Sequence, residues 1–372
     1  DKVYGEIAPT PHNQIGMISR EPMGVVAAIV PWNFPMIMAA WKIAPALATG
    51  NSVILKPSEK SPLTAIRLAA LAREAGVPAG VFNVLPGYGH TVGKALALHM
   101  DVDCLVFTGS TNVAKQLMIY AGQSNMKRVW LEAGGKSPNI VFADAPDLKK
   151  AAAEAASAIA FNQGEVCTCP SRALVQEDMF EEFMQKVVQR TKSIKRGNPL
   201  DTDVQVGAQA SKEQFDKIMS YLAIGKEEGA VVLTGGDREH LDEEFNNGFY
   251  IQPTLFKGDN KMRVFQEEIF GPVVGVTTFK TEEEALAIAN DTEFGLGAGV
   301  WTRDTNLAYR MGRNIQAGRV WMNCYHAYPA HAAFGGYKKS GVGRETHKMA
   351  LEHYQPTKCM LTSYDTNPLG FF

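Results

Sequence analysis

The run Val25-Val26-Ala27-Ala28-Ile29-Val30 constrains the fold more than any other stretch of the chain. An unbroken apolar run does not suit a strand with one wet face. It suits a strand buried on both faces, as in a parallel sheet sandwiched by helices. The pattern then repeats. A helical stretch runs from Met36 to Ala48 and stops at Gly50. Strand-like runs at Ser52–Leu55, Phe82–Leu85, Cys104–Phe107 and Arg128–Leu131 alternate with helical stretches opening at Ser61-Pro62, His90 and Thr111. This β-α alternation predicts a doubly wound parallel sheet.

A second alternating block runs from Pro138 to about Asn323. Its helices are expected near 147–161, 179–190, 211–228, 282–290 and 305–315. Its strands are expected near 139–141, 173–175, 231–234, 273–279, 298–301 and 319–323. A Gly-rich segment, FGGYKKSGVGRE (334–345), leads into a predicted helix from Glu345 to His353. Strand patterns near Ile15–Ile18 and Thr357–Tyr364 belong to neither block. They are expected to pair with each other as an arm that joins subunits.

With 372 residues, two or three domains of about 150 residues are expected. Lys+Arg 37 against Asp+Glu 39 gives no general reason to bind nucleic acid or an anionic membrane. The cysteines, Cys104, Cys167, Cys169, Cys324 and Cys359, are few and odd in number, which argues against a disulfide framework and for a reducing compartment. The Cys167/Cys169 pair lacks a second Cys/His cluster at zinc spacing, so no structural metal is expected. Neither a secretory start nor an apolar run of ~18 residues is present, and the cytoplasm is the expected location.

Chemistry is expected at the carboxyl ends of the strands. FNQGEVCTCPSR (161–172) puts Cys167 in a loop between a helix and a strand, as a nucleophile or as a small buried apolar residue. Lys56 and Glu59 follow one strand and suit ribose hydroxyls, or form a solvated pair. The loop 86–93 reads GxGxxxG, a weak phosphate signal. Ser110 or Thr111 opens a helix whose free N–H groups suit a pyrophosphate, although capping alone explains Ser110. Glu132 closes an apolar strand before Gly134-Gly135. Partial burial would raise its pKa toward that of a general base; in solvent it would be ordinary. Asn33, held between aromatics and prolines in PWNFP (31–35), is a candidate oxyanion donor or a plain turn residue.

PWNFP (31–35), LKPSE (55–59), FTGST (107–111), LEAGGKSP (131–138), FNQGEVC (161–167), EEIFGP (267–272) and FGGYKKSG (334–341) occur in this order. Together they resemble the aldehyde dehydrogenase superfamily along essentially the whole chain. The resemblance implies an α/β fold of two doubly wound parallel-sheet domains plus a β oligomerisation arm. It divides the chain into an arm (1–20 and 355–372), an NAD-binding domain (21–133 plus 340–354) and a catalytic domain (134–339). It implies NAD-dependent oxidation of an aldehyde to a carboxylic acid in a homo-oligomer, dimer or tetramer.

By the same resemblance Cys167 matches the nucleophile, Glu132 the general base, Asn33 the oxyanion donor and Lys136 a lysine near the catalytic glutamate. Lys56, Ser58 and Glu59 match the adenine-ribose site, where Glu59 favours NAD over NADP. Trp32, Gly89, Gly109, Ser110 and Val113 match the rest of the dinucleotide cleft, and Glu268 and Phe270 the nicotinamide end. Phe34, Met38, Trp41, Phe161, Val166, Thr168, Tyr328 and Phe334 match the aldehyde tunnel. These are mostly aromatic and apolar, which implies a small or medium uncharged aldehyde.

The part from 161 onward resembles bacterial acetaldehyde dehydrogenases. The part before about 145 resembles γ-glutamyl-γ-aminobutyraldehyde dehydrogenases. A chimeric chain is therefore expected, with the changeover near 145–160. Family members carry a further segment ahead of the position matching Asp1, so a shortened cofactor domain with weakened NAD binding is also expected. Two other activities fit the same residues: a cofactor-independent esterase using Cys167, and a non-catalytic, crystallin-like assembly protein.

Overall fold

The computed structural model describes residues 2–368 and Gly370. Val25–Ile29 lies inside a six-stranded sheet. The spatial order is Gly341–Val342, Arg128–Glu132, Cys104–Thr108, Val25–Ile29, Ser52–Lys56, Phe82–Val84. All neighbours are parallel except Gly341–Val342, which runs antiparallel to Arg128–Glu132. The unbroken apolar run is explained by cover on both faces. Val26 and Ala28 pack with Ala39 and Ile43 of the helix Pro35–Ala48. Ala27 and Ile29 pack with Leu96, Ala114 and Leu117 on the opposite face.

Strand order reverses between Val25–Ile29 and Cys104–Thr108, since the next strands in the chain are laid down outward on opposite sides. A crevice opens beyond the carboxyl ends of strands at such a switch point. The loops that flank it are 30–34 and 109–110.

The second sheet has seven strands, ordered Val231–Thr234, Thr254–Lys257, Val273–Phe279, Arg172–Gln176, Pro138–Val141, Gly297–Trp301, Arg319–Met322. Only the edge strand Val231–Thr234 is antiparallel. The helix Leu148–Ala160 covers it with Ala151, Ala152, Ala155, Ala158 and Ile159, all buried. Alanines let it lie close to both the sheet and the helix Phe180–Lys192. Asp147 caps it by accepting the Lys150 N–H at 2.9 Å.

Glu6–Ala8, Gln14–Arg20 and Thr357–Ser363 form a separate antiparallel sheet, with Ile15 opposite Thr362, so the two expected orphan strands do pair. The strand Thr357–Ser363 is exposed along its whole length.

Four expectations need correction. The helix expected over 345–353 is a 3-10 turn, Lys348–His353, because Thr346 (φ 56°) and His347 (φ 54°) are left-handed and block a helical start. The segment before it supplies the strand Gly341–Val342 instead. The helix expected from His90 to His99 is a wide turn, Gly89–Gly93, followed by a short helix, Lys94–Leu98. The strand Thr254–Lys257 and the pair Phe294–Gly295 with Tyr337–Lys338 were not expected, being too short to carry a hydrophobic pattern.

Candidate active site

Cys167 is delivered by an unusual turn. The helix Leu148–Ala160 is followed, after Phe161, by three successive left-handed residues, Asn162 (φ 47°), Gln163 (φ 57°) and Gly164 (φ 75°). At Gly164 a Cβ would stand 2.3 Å from the Gly271 carbonyl oxygen, so no larger residue fits. Backbone held this far from its common minima costs on the order of 1–3 kcal/mol per residue and concentrates at functional sites. Here it turns the chain so that Cys167 reaches the gap between the two sheets.

Two cavities meet at Cys167. The first, about 340 Å³, is lined by Phe34, Ile37, Met38, Trp41, Phe161, Val166, Thr168, Tyr328 and Phe334, with Thr108, Glu132, Ala133 and Cys167 at its inner end. The second, about 170 Å³, is lined by Trp32, Asn33, Gly109, Ser110, Gln214, Lys217, Glu268 and Phe270, and again by Cys167. An apolar passage thus reaches the sulfur from one side and a polar one from the other.

Burial pushes the Cys167 thiol up to about 12, and the Glu268 and Glu132 carboxylates add to the rise, while the Thr168 and Cys167 N–H groups at the sulfur oppose it. The resting group is therefore the thiol, and a base must take its proton before it acts as a nucleophile. Glu132 ends the strand Arg128–Glu132, is 5% exposed, and leaves both carboxylate oxygens without a hydrogen-bond partner. Burial raises its pKa well above the ordinary value. The Glu345 carboxylate raises it further, and Lys42 and Arg344 pull the other way. Lys42 is wholly buried and donates to Thr108 Oγ1 and Glu345 Oε1, each at 2.7 Å.

Asn33 Nδ2 donates to the Glu165 carbonyl at 2.9 Å, and the Asn33 carbonyl accepts from Asn162 Nδ2 at 3.0 Å. One amide proton is thereby used to fix the side chain, and the second is left for another acceptor. Lys136 lies elsewhere. It is 1% exposed, its Nζ has no partner, and it lines neither cavity. It sits behind the Gly134-Gly135 turn, where burial and Arg172 bring its pKa down to about 7 against the pull of Cys169 and Glu268.

At the polar cavity Ser110 caps the helix Thr111–Gln123, accepting the Val113 N–H at 3.4 Å. Glu268 accepts the Gly135 N–H at 2.9 Å, and its carboxylate lies so close that a Cβ on Gly134 would stand 2.4 Å from Oε2. Burial raises the Glu268 pKa, against the Gly135 N–H and the Lys217 and Lys136 cations. Phe270, at φ 63°, meets Trp32 edge-on with centroids 5.4 Å apart. Further along the sheet edge Lys56, almost buried, pairs with the half-exposed Glu59 at 3.2 Å, and Ser58 is buried beside them. Partial burial works against ionisation of Glu59, but its own N–H together with Lys56 and Lys60 holds it below the usual range. Gly89 lines neither cavity, and a Cβ there would meet nothing within 4 Å, so sterics do not require glycine.

Sequence reasoning missed Gln214 and Lys217, one turn apart on the helix Lys212–Glu227 and both in the polar cavity. It also missed the Lys42–Glu345 pair behind Glu132. Nothing local marks these residues; on a helix face each reads as ordinary surface.

The profile of the aldehyde dehydrogenase family matches residues 1–360. Acetaldehyde dehydrogenase of Pseudomonas aeruginosa is 61% identical over 356 residues, 95% of this chain and 70% of that protein. Aldehyde dehydrogenase B of Escherichia coli is 58% identical over 372 residues, 99% and 72% respectively. Among solved structures, a P. syringae indole-3-acetaldehyde dehydrogenase mutant in complex with NAD+ and IAA superposes with a TM-score of 0.95 at 59% identity, covering 98% of this chain and 73% of that one. The γ-glutamyl-γ-aminobutyraldehyde dehydrogenase of Burkholderia cenocepacia gives 0.95 at 52% identity, with the same coverage.

Proposed function

The chain belongs to the aldehyde dehydrogenase family and is an NAD-dependent aldehyde oxidoreductase, and from that premise we propose how its own residues divide the work. Cys167 is the nucleophile. Glu132 takes the thiol proton as the sulfur adds to the aldehyde carbon. The free Asn33 amide proton and the Cys167 N–H hold the oxyanion, a contact worth roughly 3–4 kcal/mol in other enzymes. NAD+, when bound, supplies the acceptor for the hydride. Glu132, after passing the thiol proton to solvent, activates the water that cleaves the Cys167 thioester and releases the acid.

The residues of the polar cavity fit the cofactor. Lys217 is half-buried there, facing Glu268, Glu213 and Glu267, and its ammonium makes no hydrogen bond or ion pair among the described residues. Gln214, Lys217 and Glu268 would hold the nicotinamide ribose side, and the Ser110 helix start the pyrophosphate. Lys56, Ser58 and Glu59 would hold the adenine ribose, where the Glu59 charge would repel a 2′-phosphate. The six-stranded sheet is then the cofactor domain and the seven-stranded sheet the catalytic one. The apolar cavity fits a small or medium aliphatic aldehyde without charge. The exposed antiparallel arm fits a homo-oligomer, dimer or tetramer, of cytoplasmic location; no described helix is long and apolar enough to cross a membrane.

The observation that carries this reading is that both cavities open onto Cys167. Cys167→Ala should abolish NADH formation from acetaldehyde and also ester hydrolysis without NAD. Glu132→Gln should slow both the burst of NADH and the thioester hydrolysis, each by a factor on the order of 10²–10⁴. Ester hydrolysis that survives unchanged in Cys167→Ala would refute the nucleophile assignment.

A further inference from the structure

Beyond the catalytic groups, Thr108, whose hydroxyl is taken by Lys42, and Trp41 with its indole N–H, the apolar cavity has two hydroxyl side chains, Thr168 and Tyr328. Their hydroxyls are 2.7 Å apart. The Tyr328 hydroxyl is also 3.0 Å from His326 Nδ1. His326 packs against Phe161, Trp321 and Tyr325, and its Nε2 is buried without a partner. Burial brings its pKa down to about 4, so the ring is neutral.

A neutral ring carries one proton. On Nε2 it would be a buried N–H with no acceptor. On Nδ1 it bonds the Tyr328 oxygen and leaves only an unused lone pair at Nε2. Orphaned buried N–H groups are the rarer of the two. The chain of bonds therefore runs from His326 Nδ1–H to the Tyr328 oxygen, and from Tyr328 O–H to Thr168 Oγ1. The Thr168 proton is left over, since Tyr328 is the one partner of that hydroxyl among the described residues.

Thr168 is also fixed against the reacting atom. Its N–H lies at the Cys167 sulfur, and its carbonyl accepts the Tyr325 hydroxyl at 3.0 Å. Thr168 and Cys167 line the same apolar cavity, so the chain of a carbon bonded to that sulfur shares its space with the Thr168 side chain. We propose that Thr168 is a specificity-determining residue, donating its hydroxyl proton to an oxygen on the α- or β-carbon of a short aldehyde, with Tyr328 and His326 as positioning residues that leave that proton free. The preferred substrate class is then small hydroxy- or alkoxy-aldehydes over their hydrocarbon equivalents. This rests on the Cys167 reading above.

The test uses an isosteric pair, methoxyacetaldehyde and butanal, with NAD+ and the full chain. The readout is the ratio of their kcat/KM values, in which the intrinsic activation of the carbonyl by oxygen is the same for every variant. Thr168→Val should lower the ratio about fivefold, as expected for one hydrogen bond of ordinary net strength. The loss should fall on KM for the methoxy substrate, because the contact exists before the chemical step. Thr168→Ser should restore the ratio. Tyr328→Phe, which frees the threonine rotor, should lower it by a smaller factor, and it carries the test if Thr168→Val does not fold. A ratio unchanged in Thr168→Val or, where that variant does not fold, in Tyr328→Phe would overturn the proposal. So would equal loss for both aldehydes, the mark of a purely structural role. Failure of the unaltered chain to form NADH from either aldehyde would instead overturn the underlying reading.

Discussion

Lys42→Met probes the charge balance around Glu132. Lys42 Nζ is the cation bonded to Glu345 Oε1 at 2.7 Å, with side-chain exposures of 0% and 6%. The second Glu345 oxygen is buried without a partner, and Glu345 in turn raises the Glu132 pKa. Removing the ammonium leaves two buried carboxyl groups facing each other with Arg344 as the remaining cation. Breaking one side of a buried pair costs roughly 3–5 kcal/mol. The protein has one escape, which is to keep one of the two carboxyl groups protonated.

The sign of the pH dependence follows. In Lys42→Met the Glu132 carboxyl, already held well above the ordinary range by burial and by Glu345, loses the Lys42 ammonium that opposes the rise and goes further above its unfolded value. Relative to the parent chain, the variant is therefore least penalised below the unfolded carboxyl pKa, and the penalty grows as pH rises toward the raised folded pKa. At about 2–4 °C per kcal/mol for a domain of this size, calorimetry at pH 8 should record a Tm loss of roughly 6–20 °C. At pH 5 the loss should be clearly smaller. Lys42→Met/Glu345→Gln should recover most of it, because no unpaired charge is left. The same variant should move the pH dependence of thioester hydrolysis to higher pH, since Lys42 no longer lowers the Glu132 pKa. Equal Tm losses at pH 5 and pH 8, or a double variant no more stable than Lys42→Met, would refute the electrostatic account and leave only lost packing.

Gly164→Ala should inactivate the chain and lower its Tm, because the new Cβ collides with the Gly271 backbone and φ is 75°. Wild-type activity in that variant would show that the turn before Cys167 is not fixed. Iodoacetamide should alkylate Cys167 ever faster as pH rises past 8, with no plateau near neutrality, because the thiol titrates at about 12. Glu268→Gln should accelerate alkylation at pH 8 by removing the stronger of the two charges that help hold the thiol protonated. A slower rate would contradict the electrostatic picture of the resting site.

The six-residue apolar run at 25–30 was legible because burial on both faces removes every compromise with solvent from its composition. Cys167, Glu132 and Asn33 were legible because each breaks its local pattern: a thiol in a loop, a carboxylate closing an apolar strand, an amide between prolines. Gln214, Lys217 and Lys42 break no pattern. A lysine on a helix is ordinary in sequence, and only the tertiary fold turns Lys217 into the cleft or packs Lys42 against Thr108 and Glu345, away from water. The helix expected at 345–353 failed for a related reason. Its residues have adequate propensity, but Gly341–Val342 adds a strand beside Glu132, and two left-handed residues are then needed to bring the chain back.

The Gly-rich segment that spoiled the helix therefore does more than connect. By pairing Gly341 with Glu132 and Val342 with Leu131, it closes the sheet edge from which the Glu132 carboxylate hangs. By bringing Gly335 against Glu132, where a Cβ would stand 2.9 Å from Oε1, it shuts water out on that side. Four residues past Gly341 it supplies Glu345, whose charge keeps the Glu132 pKa high. One segment thus sets the register, the dryness and the field at the proposed base. Strand pairing and desolvation both demand glycine at the close approaches, which is why a composition that reads locally as flexible loop is in this fold a closely packed wall.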